Sequence, residues 1–426
     1  MKTLYSRVIA THVAAALLIL SLPADAQLAA SGTPGDRAVY TIGTGASIEP
    51  GLGNSVAHNF ATTAVEDTAD SFDLQAGGAV NLTAGHHLVI YGTRYLNTNP
   101  GIATRAGLDN TILINGSPIS YGAASSYSRD GSNNNNFVRG GSIVEVAQGD
   151  SVGFESKRTD NNAQLRIAQQ DADLQLVKLD DSLSYLRLRA SANAANLMSN
   201  TSAGPSTVSY DVQDEIDAGF THTSGSGDIT LDEAGRYLVF ANTGFRISGG
   251  NRHRQSITQR LALDGTPVED SSTVVYIRYS GSGDGLGGLM VTGASSVGTI
   301  IQTTADNSVL NVEVLRDNNP STTNTAVALE AALTGLTILK LPNYGEVIRL
   351  SGPSQEISAA QGNPETPLDL SDVSPVSNAS FSYDAGSSVS QVTVNKDGDY
   401  LFLASHFLDD YDTPPGEART LSLIHI

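Results

Sequence analysis

The stretch Gly235-Arg-Tyr-Leu-Val-Phe240 occurs in three versions along this chain. Its counterparts are Gly85-His-His-Leu-Val-Ile90 and Gly398-Asp-Tyr-Leu-Phe-Leu403. Each version follows a short segment of alternating apolar residues and a polar turn, so the repeated unit is a short strand, a turn, a glycine and then a strongly apolar strand. The copies lie roughly 150 to 160 residues apart, which indicates tandem domains rather than a solenoid of short repeats. We expect the stretch to form a buried central strand in each domain.

The first two copies of the repeat also match beyond this strand. Asn115-Gly116 and Asp264-Gly265 join apolar segments at equivalent places, and such dipeptides are typical of tight hairpin turns. Similar apolar segments close the two copies, at Leu174-Gln-Leu-Val-Lys-Leu179 and Leu336-Thr-Ile-Leu-Lys-Leu341. Short apolar segments separated by Gly, Ser, Asn and Asp, with no lasting helical periodicity, predict an all-β protein. We therefore predict tandem antiparallel β-sandwich (jelly-roll) domains, the last one truncated.

The two ends of the chain differ from the repeats. Residues 1–26 have the features of a signal peptide, because Lys2 and Arg7 precede a short apolar run and Ala24-Asp-Ala26 fits the cleavage rule. Residues 421–426 match the translation of a transposon end used in sequencing libraries, so we interpret them as a sequencing-adapter artefact. The predicted segments are a signal peptide at 1–26, jelly-roll domains at 37–182 and 183–343, a truncated third jelly roll at 344–420, and the artefact at 421–426.

Composition narrows the class of protein. The chain contains no Cys and no Trp, and 44 acidic residues outnumber 24 basic ones. The acidic balance argues against a nucleic-acid partner, because a phosphate backbone would be repelled. A secreted chain that has no disulfide depends on packing alone for stability, which is more usual in bacteria than in small eukaryotic ectodomains. We expect a secreted or cell-surface protein, bacterial in origin, with no membrane span after signal cleavage.

The order of these motifs resembles that of the complement globular-head and tumour-necrosis-factor-like superfamily of jelly rolls. The resemblance depends on the strand Gly-x-Tyr-apolar-x-Phe, the Leu-x-Asn/Asp-Gly turn, the Gly149-Asp-Ser-Val152 turn and the closing apolar-x-apolar-x-Lys-Leu strand. It covers the first two copies and the remaining part of the third. It implies secreted binding modules that usually form trimers and are not enzymes. This chain departs from the pattern at His87, where the other copies have Tyr237 and Tyr400.

No residue is predicted to be catalytic, to bind a cofactor or to hold a metal. The Ser151 segment fits the pattern G-x-S-x-G, and 283–288 fits G-x-G-x-x-G, but both patterns require a following helix, which this all-β sequence does not predict. The copies do not share their histidines, so a chemistry common to the modules cannot use them. His86 and His87 should point to opposite faces of a strand. The histidines outside the two ends are His58, His86, His87, His222, His253 and His406.

Calcium and sugar are left open as ligands. Asp160-Asn161-Asn162 and Asp317-Asn318-Asn319 recur in equivalent turns, and calcium prefers such oxygen donors, although Asp and Asn also suit turns for backbone reasons. We therefore predict no cofactor, with calcium as the alternative. The candidate stacking residues for a sugar are Tyr121, Tyr127, Tyr276 and Tyr279.

The sequence favours a non-enzymatic protein of tandem jelly-roll modules that acts in adhesion, recognition or an extracellular layer. Its expected partners are an extracellular protein or glycan, or other copies of itself. Two alternatives remain. The modules would be accessories of a secreted polysaccharide-acting enzyme whose catalytic domain is missing, or they would pack together as a single-chain pseudo-trimer of jelly rolls.

Overall fold

The protein, described here by a computed structural model, is built almost entirely of antiparallel strands. Within the described residues the one helical element is a 3₁₀ turn at Ala331–Leu333. No helix among them is long and apolar enough for a membrane span. The structure describes residues 15–21, 36–42, 55–60, 62–66, 71–97, 106–128, 135–158, 167–194, 197–198, 204–247, 254–269, 271–278, 292–316, 327–342, 346–351, 372–374, 381–384, 391–395, 400–408 and 419–425.

The strands fall into three groups, which we call the first, second and third modules. One N-terminal strand, β1 (Ala15–Ser21), precedes them. The first module contains β2 (Arg37–Thr41), β3 (Ser55–Ala57), β4 (Thr62–Glu66), β5 (Phe72–Leu74), β6 (Val80–Leu82), β7 (Gly85–Asn97), β8 (Ala106–Ile114), β9 (Ser117–Ser128), β10 (Asn135–Val146), β11 (Ser151–Arg158) and β12 (Ile167–Lys178).

The second module contains β13 (Tyr185–Arg189), β14 (Ser206–Thr207), β15 (Val212–Ile216), β16 (Phe220–His222), β17 (Ile229–Leu231), β18 (Gly235–Ile247), β19 (Arg254–Leu263), β20 (Thr266–Pro267), β21 (Thr273–Arg278), β22 (Thr292–Thr303), β23 (Ser308–Arg316), β24 (Val327–Leu329) and β25 (Gly335–Leu341). The third contains β26 (Glu346–Ser351), β27 (Asp372–Ser374), β28 (Phe381–Asp384), β29 (Gln391–Val394), β30 (Tyr400–Leu408) and β31 (Arg419–His425).

The first two modules are sandwiches of the same topology. Each has an inner sheet, ordered β10-β7-β12-β2-β4 in the first module and β22-β18-β25-β13-β15 in the second. Each also has an outer sheet, ordered β5-β6-β11-β8-β9 and β16-β17-β23-β19-β20. The repeated stretch begins β7 and β18, each of which lies between its closing strand and a second long neighbour. The predicted all-β tandem sandwiches and their central strand are confirmed.

The repeated aromatic positions meet inside each sandwich. Phe72 lies edge-on to His87 at 5.9 Å between ring centroids in the first module. Phe220 lies edge-on to Tyr237 at 5.8 Å in the second. His87 is fully buried and therefore replaces tyrosine as a core ring, which explains how the first module tolerates this departure from the repeat.

The predicted hairpin turns are also confirmed. Asn115-Gly116 has φ angles of 50° and 74°, and Asp264-Gly265 has 51° and 75°, as a type I′ turn requires at both central residues. The first residue of each turn has a second task. The side chain of Asn115 accepts a hydrogen bond from the backbone N–H of Ser151 at 2.9 Å, and that of Asp264 accepts one from Val309 at 2.7 Å. The turn residue thus fastens its hairpin to the next strand of the outer sheet.

The third module repeats part of this arrangement. Its larger sheet is ordered β27-β26-β1-β30-β31, and β28 pairs with β29. Strand β1 lies between β26 and β30, the place that β25 takes between β13 and β18 in the second module. Strand β1 falls within the expected signal peptide, and β31 overlaps the segment interpreted as an artefact. Both of those interpretations stay predictions.

Candidate functional site: the seam between the first two modules

A buried apolar cluster lies between the inner sheets of the first two modules, and we call this contact the seam. Alternation along the central strands divides their side chains between two environments. Val89 and Val239 belong to the cores of their own sandwiches, whereas Leu88 and Leu238 belong to the seam. The repeated stretch is therefore apolar on both faces because both faces are buried. The seam cluster consists of Leu88, Ile90, Ile143, Leu179, Tyr185, Leu238, Phe240, Ile300, Leu339 and Leu341.

The edge strand β9 of the first module lies against β18, β22 and β25 of the second. Asn242 donates its side-chain N–H to the backbone oxygen of Tyr121. The backbone N–H of Ala294 donates to the Ser125 hydroxyl at 2.7 Å. Gly335 permits the closest approach, because a Cβ at that position would lie 2.9 Å from the Cα of Tyr121. An edge of one module thus packs on the inner sheet of the next, so the contact is heterologous.

A charged corner borders the apolar seam, and His86 lies at its centre. The ring of His86 is 3.1 Å from a carboxylate oxygen of Asp181 through Nδ1 and 2.8 Å from Glu215 through Nε2. It stacks on Tyr185 with 3.7 Å between centroids and 4° between the ring planes. His86 is on β7 of the first module, Asp181 is in the connection after β12, and Glu215 is on β15 of the second module. The ring therefore bridges the two modules.

Arg187 forms the second cation of this corner. Its guanidinium pairs with Glu145 of the first module at 3.0 Å and with Glu215 at 3.7 Å. It also lies over the ring of Tyr121, at 5.6 Å from the centroid. Tyr121 lies on β9 and is half-buried in this contact, so it belongs to the seam rather than to a loop.

Lys178 completes the corner from the first module. Its ammonium group donates to the backbone oxygen of Ala84 at 2.6 Å and pairs with Asp181 at 3.1 Å. Gly85 has a φ of 112°, and a Cβ there would collide with Lys178 and Asp181. The glycine that begins the repeated stretch is thus required here by close packing as well as by backbone conformation.

The surroundings shift the pKa values of this corner. Burial alone would lower the pKa of His86, but the hydrogen bonds and charges of Glu215 and Asp181 outweigh it and raise that pKa above its ordinary 6.5. Burial would raise the pKa of Asp181, but hydrogen bonds from His86 and Lys178 hold it below its usual range. Both shifts favour the ion pair between His86 and Asp181.

The same corner contains the one candidate metal-ligand set among the described residues. Ligand atoms of His86, Glu145 and Glu215 lie within 4.8 Å of one another. Arg187 already pairs with both carboxylates, so a positive charge occupies the place a metal ion would need. This donor set fits an ion-pair network better than a cation site. The predicted calcium turns at 160–162 and 317–319 lie outside the described residues.

The remaining candidates from the sequence have structural surroundings. His58 is buried in the first module, where its Nε2 is 2.7 Å from the Ser156 hydroxyl. The Nδ1 of His222 is 3.0 Å from the side-chain amide nitrogen of Gln213, and its Nε2 is 3.1 Å from the backbone oxygen of Ser226. Ser151 begins β11 directly after the turn from β10, and these two strands belong to different sheets, so the turn is a crossover between the sheets and is followed by a strand, not a helix. His253, Tyr279 and the segment 283–288 lie outside the described residues. Tyr127 and His406 lie on β9 and β30, and only their backbone is described.

The seam corner was missed from the sequence. His86 and His87 do point to opposite faces of β7, as predicted, but the sequence does not show what the outward face meets. The partners of His86 are 95 and 129 residues away along the chain. The three copies have different residues at the position of His86, which argued against a chemistry common to the modules. The sequence does not show that His86 could instead make a contact between two modules.

Comparisons with known proteins find similarity only at the level of structure. No family model matches the chain, and no match is found among curated proteins. Among solved structures, murine APRIL is 11% identical with a TM-score of 0.25, covering 38% of this chain and 100% of its own. PNGase F, a glycosylasparaginase from Flavobacterium meningosepticum, is 10% identical with a TM-score of 0.29, covering 72% and 99%.

A third solved structure is itself a tandem. The CBM22-1-CBM22-2 domains of Xyn10C from Paenibacillus barcinonensis are 10% identical with a TM-score of 0.17, covering 75% of this chain and 99% of theirs. Identities and scores this low carry none of these proteins' properties across. The chain's own strand pairing defines it as a tandem of antiparallel β-sandwiches.

Proposed function

We propose that this chain is a secreted or cell-surface protein without enzymatic activity. Its tandem jelly-roll modules bind an extracellular protein or glycan, or other copies of the same chain. The observation that supports this proposal is the seam. A core-like contact holds the first two sandwiches together, and so it sets how their connecting loops stand relative to one another. Such a scaffold suits adhesion, recognition or an extracellular layer, in which loops on a firm framework make the contacts.

The experiment compares binding with turnover. The purified full chain is applied to a glycan array, examined for self-association by sedimentation, and incubated with polysaccharides while reducing ends are measured. We expect retention on a glycan class or reversible self-association, with no release of reducing ends. Product release in proportion to protein concentration would overturn the non-enzymatic function and favour an enzyme.

We further propose that the three modules form a single-chain pseudo-trimer. The contact between the first two modules places edge strand β9 on the inner sheet formed by β18, β22 and β25. The equivalent edge strand of the second module, β21, lies beside β30 of the third. A heterologous contact that repeats in this way closes into a ring when its rotation matches the number of units.

Small-angle scattering of the full chain tests this arrangement. A compact chain of this length has a radius of gyration of about 22 Å, whereas separate modules joined by extended connections would exceed about 30 Å. We expect a value near the compact limit. An extended envelope with three separate bodies would refute the pseudo-trimer and leave the binding function open.

A further inference from the structure

We propose that His86 is a pH-dependent clasp between the first two modules, which holds the seam more tightly when its ring is protonated than when it is neutral. The pH dependence follows from the hydrogen-bond capacity of the ring. Both ring nitrogens face carboxylates, Asp181 at 3.1 Å and Glu215 at 2.8 Å. An ionised carboxylate can only accept, so both contacts require a ring N–H.

Only the imidazolium form supplies both donors. The neutral ring carries one N–H, so on deprotonation one nitrogen turns a lone pair towards a carboxylate oxygen and that hydrogen bond is replaced by repulsion. Glu215 belongs to the second module and His86 to the first. Loss of the hydrogen bond between His86 Nε2 and Glu215 therefore weakens the contact across the seam directly. Little water is available to compensate, since the His86 side chain is 10% exposed and that of Glu215 is 16% exposed.

The other charged groups around the ring reinforce this dependence. With His86 protonated, three cations face three carboxylates, and deprotonation leaves one negative charge in excess. The groups around the His86 ring come from several elements of both modules. They are Asp181 from the connection after β12, Lys178 from β12, Glu145 from β10, Glu215 from β15, and Tyr185 and Arg187 from β13. His87 follows His86 on β7 but faces the core of the first module.

The direction of the effect follows from linkage. The pKa of His86 is higher in the folded chain than its ordinary 6.5. The stabilisation from the clasp is therefore complete below about pH 6.5 and is lost as the pH rises through the folded value. The buried rings of His58 and His87 have pKa values lowered to about 3, so they give a trend of the opposite sign. A test must isolate the seam from these core histidines.

Thiol labelling provides that isolation, because the chain contains no cysteine. A single Ile300→Cys variant of the full chain places a thiol in the apolar seam, and its labelling rate, divided by that of a short peptide, reports seam opening. We expect opening to increase roughly tenfold between about pH 6 and about pH 8.5, because a hydrogen bond to a charged group is lost when the ring is deprotonated. The increase should vanish when His86→Gln is added and persist with the matched control His222→Gln.

The same increase in the His86→Gln background would overturn the proposal, as would pH-independent labelling with His86 intact. Should His86→Gln fail to fold, histidine NMR of the unaltered chain decides independently. The His86 resonance, assigned through Asp181→Asn, should titrate with a midpoint above 6.5 and move to lower pH in that variant. A midpoint at or below 6.5 in the unaltered chain would refute the clasp.

Discussion

Replacing Leu238 by alanine should open the seam without unfolding the second sandwich. Leu238 is fully buried and belongs to the cluster shared by the two modules. Truncating a buried leucine costs about 2–5 kcal/mol, through lost burial and the cavity left behind. That cost corresponds to an increase of about 30-fold to several thousand-fold in the opening equilibrium. A domain is stable by only about 5–15 kcal/mol, so the loss is a large share of what holds the modules together.

The matched control is the next residue on the same strand. Val239 is equally buried but faces the core of the second sandwich. Val239→Ala should therefore weaken that sandwich by about 2 kcal/mol and leave the seam-facing side chains unchanged. The two substitutions remove apolar atoms from opposite faces of β18, so they separate the seam from the core within one strand.

Hydrogen exchange followed by mass spectrometry resolves the two outcomes. Leu238→Ala should speed exchange in β10 of the first module and β18 of the second, while β19 and β23 of the outer sheet stay protected. Val239→Ala should speed exchange in β19 and β23 and leave β10 unchanged. If Leu238→Ala accelerates β19 and β23 while β10 keeps its protection, Leu238 is a core residue of its own module and the assignment of the seam is wrong.

Two further predictions concern packing and pH. Gly335→Ala should lower the urea midpoint by the equivalent of about 1–3 kcal/mol, because its Cβ would meet the backbone of Tyr121. Gly153→Ala is the control, because its Cβ would lie 3.8 Å from the Cβ of Leu113, which is an ordinary contact distance. An unchanged urea midpoint for both variants would contradict close packing at the seam. Burial lowers the pKa of His58 to about 3, so the protein should become less stable, with a lower urea midpoint, as the pH drops from about 6.5 towards 3. This ring alone should lower the free energy of unfolding by up to ~1.4 kcal/mol per pH unit. His58→Gln should flatten that slope in urea titrations, and an unchanged slope would show that His58 is not buried in its neutral form.

The fold was predictable from the sequence where a local signal sufficed. Asn115-Gly116 and Asp264-Gly265 specify type I′ turns by their own conformational preferences, and the structure has them with positive φ at both residues. The repeated stretch predicted a buried strand because its last three residues are apolar in every copy. Repetition then aligned the two sandwiches strand by strand, so their equivalence required no long-range information.

The seam was not predictable in the same way. An apolar strand buried on both faces does not show which face meets its own sandwich and which meets another module, so Leu238 and Val239 look alike in the sequence. The charged corner depends on groups that the fold brings together from distant parts of the chain, such as His86 and Glu215. Nothing in the spacing of these residues indicates their proximity. Tyr121 could not be placed at the seam for the same reason, since only the packing of β9 brings its ring beside Arg187.

The covalent connection at 179–184 has a consequence for how the seam behaves. Its residues Leu179 and Leu183 pack into the contact, so the two sandwiches meet at a high effective concentration that dilution cannot reduce. The seam can open and close again without the partners parting. Fusion also breaks the symmetry that identical subunits would impose. The position of His86 is Arg236 in the next copy, so the second module does not repeat this corner, and among the described residues a ligand that recognises it would find one place to bind.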